Sequence, residues 1–442
     1  MTGWDIEFSC GSQTSEYTIV FKQRQIDNLT YLRAMNILKS GDFIALENQF
    51  GAHNYHPLPV VLNRGEGIFV WDVEDKRYFD FLSAYSAVNQ GHCHPKIIEA
   101  LHIQSRKITL TSRAFHNDQL GPFEAYITSL LEYDRVLPMN TGVEGGETAI
   151  KLARKWGYTI KGIPENQAKI IFASGNFWGR TLAAISTSQD PDSYSHFGPF
   201  VPGFEIVEYN NIGALELAFQ DSNVAAFMVE PIQGEAGVIM PSDDYLKQVR
   251  DLCTKYNILW IADEVQTGLG RTGAMLCCNH SKVKPDILIL GKALGGGVFP
   301  VSAVLTSDEV MGVLHPGQHG STFGGNPLAC AVAMASLQVL VDESLPENAA
   351  KMGERFRSGL QDIKSPIVKA VRGMGLLNAI DIAPFGEGKT AYDVCMTMKS
   401  NGLLAKQTHK HTIRFAPPLV INASQIDEAL QIIHYSIAEI AK

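Results

Sequence analysis

Residues 286–297 read Asp-Ile-Leu-Ile-Leu-Gly-Lys-Ala-Leu-Gly-Gly-Gly, an apolar run that leads into a lysine and then three glycines. Near-continuous apolar character is typical of a strand that is buried on both faces of a parallel sheet. Because the run stops at Gly291, Lys292 would lie at the carboxyl end of that strand. The glycines would let the backbone approach a ligand closely. This stretch predicts both a fold class and the position of a reactive amine.

Further apolar runs of the same kind alternate with amphipathic stretches such as residues 143–161 and 245–256. These runs occupy residues 135–139, 169–172, 225–229, 258–262 and 301–305. The alternation predicts an α/β fold with a mostly parallel central sheet and helices on both faces.

The domain organisation follows from length and from a change in pattern along the chain. A single core seldom grows beyond about 250–300 residues, so 442 residues predict at least two domains. The alternation becomes sparser toward the C-terminus, where strands are predicted at residues 368–380 and 412–415. We expect an N-terminal segment at 1–85 that packs with the small domain, a large domain at 86–336 and a small α+β domain at 337–442.

Composition excludes several classes of function. The chain has 37 Lys and Arg against 46 Asp and Glu, a net charge of −9, so no overall basic field would hold nucleic acid or anionic lipid. The chain contains no run of 18 apolar residues, so no membrane span is predicted. The seven cysteines contain no C-x-x-C spacing, which argues against a disulfide framework, and no set of metal ligands is expected.

The polar residues that end the predicted strands indicate the site. In parallel sheets, ligands bind outside the carboxyl ends of the strands. Here those ends carry Thr141-Gly142, Glu230, Asp263 and Lys292. A lysine at the end of a buried strand is placed to lose its hydration, which lowers its pKa and makes it nucleophilic.

A cofactor is implied by the same four strand ends. A buried carboxylate such as Asp263 requires a cationic partner, and a protonated pyridine nitrogen is one. An aspartate on that nitrogen and a lysine joined to the cofactor are what a protein contributes to pyridoxal phosphate chemistry. The Gly-rich turn that begins at Thr141 opens a predicted helix, whose N-terminus attracts a phosphate. Residues 176–180 add an aromatic ring for stacking and an arginine for a carboxylate.

With these motifs the chain resembles the class III aminotransferases, which are pyridoxal phosphate enzymes of fold type I. The resemblance covers nearly the whole chain, and eight strings carry it in family order. They are GAHNYHP at 51–57, YSAVNQGH at 85–92, TGVE at 141–144, GNFWGR at 175–180, EPIQGE at 230–235, DEVQTG at 263–268, GKAL at 291–294 and GSTFGGNP at 320–327. The strings are most similar to those of family members that act on ornithine.

The resemblance implies roles around pyridoxal 5′-phosphate. Lys292 would bind the cofactor covalently and move the proton, and Asp263 would keep the pyridine nitrogen protonated. The remaining cofactor contacts would come from Gly142 and Val143 on the phosphate, Phe177 on the ring, Glu230, Gln266 on the phenolic oxygen, and Ser321 and Thr322 from the other subunit. The resemblance thus implies a homodimer with shared active sites.

The resemblance also implies two substrates, L-ornithine and 2-oxoglutarate, with glutamate as a product. Arg180 would bind the carboxylate far from the reacting amine, and Arg414 the α-carboxylate of glutamate. Glu235 would pair with Arg414 during the ornithine half-reaction, while Tyr55 and Tyr85 would complete the pocket.

Three alternatives remain open. Residues 268–273 match the dinucleotide pattern G-x-G-x-x-G, but no clear amphipathic helix follows, so an oxidoreductase is a minor alternative. A non-catalytic scaffold is disfavoured because a buried Lys292 and Asp263 are costly unless they are used. A sibling enzyme acting on N-acetylornithine or 4-aminobutyrate is the nearer alternative, and Tyr85 disfavours 4-aminobutyrate.

The N-terminus gives an expectation about compartment. Its first residues include Asp5, Glu7 and Glu16, whereas transit peptides are poor in acidic residues. We therefore expect an uncleaved terminus and a cytoplasmic protein, with the mitochondrial matrix as the alternative because many relatives are mitochondrial.

Overall fold

The computed structural model describes residues 4–10, 17–23 and 38–441, and the chain divides into two compact units. The first unit comprises residues 1–64 and 71–77, and the second comprises residues 65–70 and 78–442. The expectation of an uncleaved N-terminus concerns a segment that lies largely outside the described residues.

Among its described residues, the first unit contains a short antiparallel pair of strands and a helix. Strands β1 (Trp4–Cys10) and β2 (Tyr17–Gln23) pair with each other, and helix α1 spans Ser40–Phe50. Ser40 begins that helix with its backbone N–H and its hydroxyl both donating to the Glu74 carboxylate, at 2.7 and 2.6 Å. The next three strands lie near the junction of the two units in the sequence: β3 (Leu62–Glu66), β4 (Phe69–Asp72) and β5 (Arg77–Asp80).

The second unit is built on a seven-stranded sheet with the order β6-β12-β11-β10-β9-β7-β8. Its strands are β6 (Arg135–Met139), β7 (Lys169–Ala173), β8 (Phe204–Val207), β9 (Val224–Val229), β10 (Leu259–Asp263), β11 (Ile287–Leu290) and β12 (Ser302–Thr306). Only β12 runs antiparallel to its neighbours in this sheet. The predicted mostly parallel sheet is confirmed.

Helices cover both faces of this sheet. Helices α4 (Gly142–Trp156) and α8 (Tyr245–Lys255) lie on opposite faces. The other helices between residues 95 and 361 are α2 (Pro95–Ser105), α3 (Leu120–Leu131), α5 (Leu182–Ile185), α6 (Pro191–Tyr194), α7 (Ile212–Ala218), α9 (Asp308–Met311), α10 (Pro327–Asp342) and α11 (Leu345–Gln361). Alternate residues of each strand point to opposite faces. In β7, Phe172 packs in the cluster that contains α4, whereas Ile171 packs in the cluster that contains α8. The boundary that the sequence predicts between the large and small domains, at residue 337, lies within α10. The three-part division of the chain stays a prediction.

The C-terminal part of the second unit carries its own antiparallel sheet, called here the C-terminal sheet, with the order β13-β14-β17-β16. Its strands are β13 (Val368–Met374), β14 (Leu377–Ile382), β16 (Lys406–Thr408) and β17 (Thr412–Phe415). Strand β15 (Leu403–Leu404) instead pairs in parallel with β5, and helices α12 (Ala391–Ser400) and α13 (Ala423–Ile440) complete the chain. Among the described residues no single helix is long and apolar enough to cross a membrane, although the bent pair α10 and α11 meets that length and composition together.

Between β5 and α2 the chain makes a left-handed turn at Ser83–Ser86, in which all four residues have positive φ values of 46–72°. Positive φ is unfavourable for residues that have a Cβ atom. Asp80 supports the turn, because its Oδ1 accepts the N–H groups of Leu82 and Ser83 at 2.9 and 2.8 Å. Its other oxygen, Oδ2, lies 2.7 Å from Nε2 of His92. The turn places Tyr85 beside the site described next.

Candidate active site

Lys292 lies directly beyond β11, as the sequence predicts, and begins a short 3₁₀ turn that spans Lys292–Gly295. Its φ of 43° is positive, a conformation that side-chain-bearing residues adopt mainly where the surroundings impose it. Burial lowers the pKa of the Lys292 ammonium, and the nearby carboxylates of Asp263 and Glu235 offset this only in part. The amine is thus more easily deprotonated, and so more nucleophilic, than a solvated lysine.

Two cavities meet at Lys292. One, of about 210 Å³, is lined by Val143, Phe177, Glu230, Asp263, Val265 and Gln266 together with Gly142 and Lys292. The other, of about 370 Å³, is lined by Ala84, Asn140, Thr141, Phe299 and others, again with Gly142 and Lys292. The carboxyl edge of the sheet therefore brings together seven of the residues predicted from the sequence.

The N-terminus of α4 forms one wall of the smaller cavity. The Thr141 hydroxyl accepts the Glu144 N–H, and the Glu144 carboxylate accepts the Thr141 N–H in return. This cap leaves the first helical amides, those of Gly142 and Val143, for a ligand. Gly179 lets the chain pass close to them, because a Cβ there would lie 2.4 Å from Cγ2 of Val143. Such a wall fits a phosphate group.

Two buried carboxylates lie opposite this wall. Asp263 ends β10, and its Oδ1 accepts the Val265 N–H at 3.0 Å. Burial raises the pKa of Asp263 to about 6, although Lys292 opposes the rise. Burial and the neighbouring Asp263 raise the pKa of Glu230 to about 8. A cationic group in the cavity would relieve the cost of holding Asp263 ionised.

Glu230 is expected to contact the cofactor, and in the structure its carboxyl group accepts hydrogen bonds from the backbone of two nearby residues. Its Oε1 accepts the N–H of Phe177 at 3.0 Å, and its Oε2 accepts the N–H of Gly234 at 3.3 Å. The carboxyl group thus fixes the backbone that presents the Phe177 ring to the cavity.

Arg414, on β17 of the C-terminal sheet, is buried and meets three predicted site residues. Its Nη1 lies 3.1 Å from Oε1 of Glu235 and donates to Oε1 of Gln266 at 3.2 Å. Gln266 Nε2 donates in turn to Oε1 of Glu235 at 3.1 Å. Burial raises the pKa of Glu235, but the Arg414 charge outweighs it and leaves that pKa below its ordinary value. The guanidinium also lies over the Tyr85 ring.

The position of Gln266 requires glycine at position 234. A Cβ on Gly234 would lie 2.5 Å from Oε1 and 2.8 Å from Cδ of Gln266. The family resemblance implies that Gln266 contacts the phenolic oxygen of the cofactor, and the structure shows that Gln266 also bridges Glu235 and Arg414.

The other predicted residues are less closely assembled. Arg180 is exposed, donates to the Ser193 hydroxyl at 2.8 Å and lies 5.5 Å from the Phe177 ring centroid. Tyr55 is exposed and belongs to the first compact unit, so its role stays a prediction. The Ser321 hydroxyl accepts a bond from Asn140 Nδ2 of its own chain at 3.0 Å, and Thr322 is exposed.

The sequence gives little signal for one residue of the cavity and a misleading signal for one loop. Val265 lines the cavity and its side chain lies against Gly142, but the sequence pattern gives no sign of this role beyond its place two residues after Asp263. The dinucleotide-like loop at 268–273 leads into the 3₁₀ turn Cys277–Ser281 and not into a helix. Its Arg271 is buried and donates to the carbonyls of Leu376 and Pro417, so the loop has a structural role.

Comparison with known proteins identifies the family. The model of the class III aminotransferases matches residues 50–437. The mitochondrial ornithine aminotransferase of Drosophila melanogaster is 65% identical over 393 residues, which cover 89% of this chain and 90% of that protein. The chain belongs to the class III aminotransferases.

Solved structures extend the likeness to the fold. An ornithine aminotransferase from Toxoplasma gondii, with pyridoxal phosphate at partial occupancy in its active site, gives a TM-score of 0.91 at 48% identity and covers 94% of this chain and 98% of its own. An acetylornithine aminotransferase from Elizabethkingia anophelis gives 0.84 at 56% identity, covering 91% and 100%. The fold is therefore fold type I, and the chain is a pyridoxal phosphate-dependent transaminase.

The residues present fit this cofactor. The smaller cavity places a buried carboxylate, a buried amine with a lowered pKa and the open N-terminus of α4 around one space. These groups match a pyridine nitrogen, an aldehyde carbon and a phosphate respectively.

Proposed function

We propose that this enzyme transfers the δ-amino group of L-ornithine to 2-oxoglutarate. The products are glutamate and L-glutamate 5-semialdehyde, which cyclises to pyrroline-5-carboxylate. The ion pair between Glu235 and Arg414 is the observation that carries the proposal. Ornithine carries its carboxylate far from the reacting amine, whereas glutamate carries one beside it. A pocket that serves both needs a cation that can be neutralised for one substrate and exposed for the other.

The cofactor side of the reaction is assigned to the residues around the smaller cavity. Pyridoxal phosphate, when bound, withdraws electrons from the substrate carbon that loses its proton. Nζ of Lys292 would hold the cofactor and move that proton, and Asp263 would keep a positive charge on the pyridine nitrogen. Phe177 would stack on the ring with Glu230 supporting its backbone, and Gln266 would contact the phenolic oxygen. The amides of Gly142 and Val143 would bind the phosphate.

The substrate side is assigned to two arginines and two tyrosines. Arg180 binds the carboxylate that lies far from the reacting amine, and Arg414 binds the glutamate α-carboxylate after Glu235 releases it. Tyr55 and Tyr85 frame the ornithine-sized pocket. Support for this assignment comes from the contacts of Arg414 with Glu235 and with the Tyr85 ring.

Acetylornithine is the second candidate substrate, because the Elizabethkingia neighbour that acts on it is 56% identical. Acetylation removes the α-ammonium charge of ornithine while leaving the δ-amine reactive. 4-Aminobutyrate has less support, since the Tyr85 ring that disfavours it lies against Arg414.

We also propose a homodimer whose active sites are shared, with Ser321 and Thr322 of each subunit reaching the phosphate of the other. The adjoining Phe323 is 51% exposed and Phe115 is 73% exposed, a degree of apolar exposure that a subunit interface would cover. Light scattering of the purified protein tests the assembly, because a homodimer has the mass of two chains and a monomer that of one.

The compartment is assigned from relatives. The Drosophila and rat relatives are named as mitochondrial, which favours the mitochondrial matrix over the cytoplasm expected from the N-terminus. Cell fractionation with matrix and cytosolic markers distinguishes the two.

The reaction is tested by incubating the cofactor-loaded enzyme with ornithine and 2-oxoglutarate. Pyrroline-5-carboxylate is trapped by o-aminobenzaldehyde and glutamate is measured separately. We expect equal amounts of both products, and a higher kcat/KM for ornithine than for N-acetylornithine or 4-aminobutyrate. A preference for either rival would overturn the substrate while leaving the transaminase assignment in place.

A further inference from the structure

The loop that carries Glu235 is attached at its base to the central sheet. Gln233 and Ile239 close the loop by a pair of backbone hydrogen bonds of 3.2 and 3.0 Å. The Gln233 side chain donates to the carbonyl of Ser174, just beyond β7, at 2.7 Å. We call residues 233–239 the Glu235 loop.

The other side of the Glu235 loop is held by the C-terminal sheet. Arg372, on β13, donates from Nε to the carbonyls of Gly237 and Val238, both at 3.0 Å, and from Nη2 to Gly237 at 2.6 Å. Thr408, on β16, donates its hydroxyl to the carbonyl of Glu235 itself at 2.7 Å. Three loop carbonyls are thus bound by two side chains of one sheet.

Arg372 is itself held in a fixed orientation. Its Nη1 and Nη2 donate to the two oxygens of Asp381 at 2.6 and 3.0 Å, and Thr412 donates to the same carboxylate at 2.7 Å. A bidentate pair of this kind constrains the plane of the guanidinium, which a lysine could not reproduce. Arg372 can therefore act as a rigid clamp on the loop.

The same sheet also carries Arg414, the partner of Glu235. Arg414 pairs in register with Ala379 of β14 and Lys406 of β16. One sheet thus supplies the cation of the switch and fixes the backbone of its anion. The 3.1 Å ion pair between Arg414 and Glu235 therefore joins two groups that are both held by this sheet.

We propose that Arg372 and Thr408 are positioning residues that set how firmly Glu235 neutralises Arg414, and so determine the preference between ornithine and glutamate. This inference rests on the proposed function. Releasing the loop lets the Glu235 carboxylate move away from Arg414. A freer Arg414 then favours the substrate that has a carboxylate beside its reacting amine.

The test measures each half-reaction by single-turnover absorbance of the holoenzyme in Arg372→Lys and Thr408→Val. We expect the ratio of glutamate to ornithine rate constants to rise about 3- to 10-fold in Arg372→Lys and less in Thr408→Val, as befits the loss of one or a few hydrogen bonds. Arg355→Lys is the matched control, because Arg355 forms a comparable bidentate pair with Asp427 on the exposed surface, away from the loop. Its ratio should equal that of the wild type.

A double-mutant cycle separates positioning from general damage. In the Glu235→Ala background, Arg372→Lys and Thr408→Val should leave the ratio unchanged, because the carboxylate they position is gone. An unchanged ratio in both single variants, or an equal shift in the Glu235→Ala background, overturns the inference. If Arg372→Lys fails to fold, Thr408→Val decides alone. Absence of ornithine turnover in the wild type would instead overturn the proposed function.

Discussion

The guanidinium carbon of Arg414 lies 4.8 Å from the centroid of the Tyr85 ring. A cation over an aromatic face is attracted to it, so Tyr85 and Glu235 both favour the same position of Arg414. The tyrosine thus restrains the cation that we propose binds the glutamate α-carboxylate.

Replacing Tyr85 with Ile should lower kcat/KM for ornithine and raise it for 4-aminobutyrate. The ratio of the two should change about 10- to 100-fold, equivalent to about 1–3 kcal/mol for one lost polar partner. Steady-state kinetics on both substrates measures this ratio, and Tyr85→Phe, which keeps the ring but loses the hydroxyl, separates the contribution of the hydroxyl from that of the ring. An unchanged ratio in Tyr85→Ile would remove Tyr85 from the specificity of the site.

Lys292→Ala should abolish both the visible absorbance of the bound cofactor and transamination, because the buried amine is the group assigned to hold it. Lys369→Ala, at an exposed position on β13, should retain both. Borohydride reduction followed by peptide mapping identifies the modified lysine. An active Lys292→Ala variant with the cofactor on another lysine would show the assignment to be wrong.

Asp263→Asn should weaken cofactor binding and slow turnover by orders of magnitude. Its carboxylate is the charge assigned to the pyridine nitrogen, and removing a preorganised group of this kind costs about 3–4 kcal/mol. Single-turnover rates at saturating cofactor separate the loss of binding from the loss of rate. Near-normal turnover would exclude Asp263 from the mechanism.

Glu235→Ala should leave Arg414 without its counter-charge, so that glutamate reacts faster relative to ornithine. The separate half-reactions measured by absorbance supply the ratio. Equal losses in both half-reactions would refute the switch and leave the fold and family unaffected.

The cofactor-free protein should lose stability as pH rises between about 5 and 8. Burial and Asp263 raise the pKa of Glu230 from 4.5 to about 8 in the folded state, so across this range the folded state binds more protons than the unfolded state. Glu230→Gln should reduce that decline, as measured by urea unfolding at several pH values. The exposed Glu347→Gln is the control and should keep the wild-type slope. A steep decline that survives in Glu230→Gln would contradict the assignment.

The sequence predicted most of the central sheet because its strands are buried on both faces and carry continuous apolar runs. Strand β8 was missed because it lies at the edge of the sheet, and its Glu205 and Ile206 are exposed. Lys292 and Asp263 were predictable because each directly follows an apolar run.

Other parts of the site could not be predicted from local pattern. The left-handed turn at Ser83–Ser86 contains no glycine, which is the usual sequence signal for positive φ. Arg372 and Thr408 lie more than a hundred residues from the loop that they bind, so only the fold brings them together. The bridge formed by Gln266 likewise depends on side-chain orientations that a sequence pattern does not contain.

The turn at Ser83–Ser86 also sets a limit on how stable this protein can be made without altering its activity. Each side-chain-bearing residue in that conformation costs roughly 1–2 kcal/mol, so a glycine at position 84 would relieve part of the cost and strengthen the fold as a whole. The same glycine would loosen the backbone that presents Tyr85 to Arg414. A substitution that raises thermal stability at this turn would therefore lower the substrate selectivity that we assign to Tyr85. Stabilising substitutions are better sought on the exposed helices.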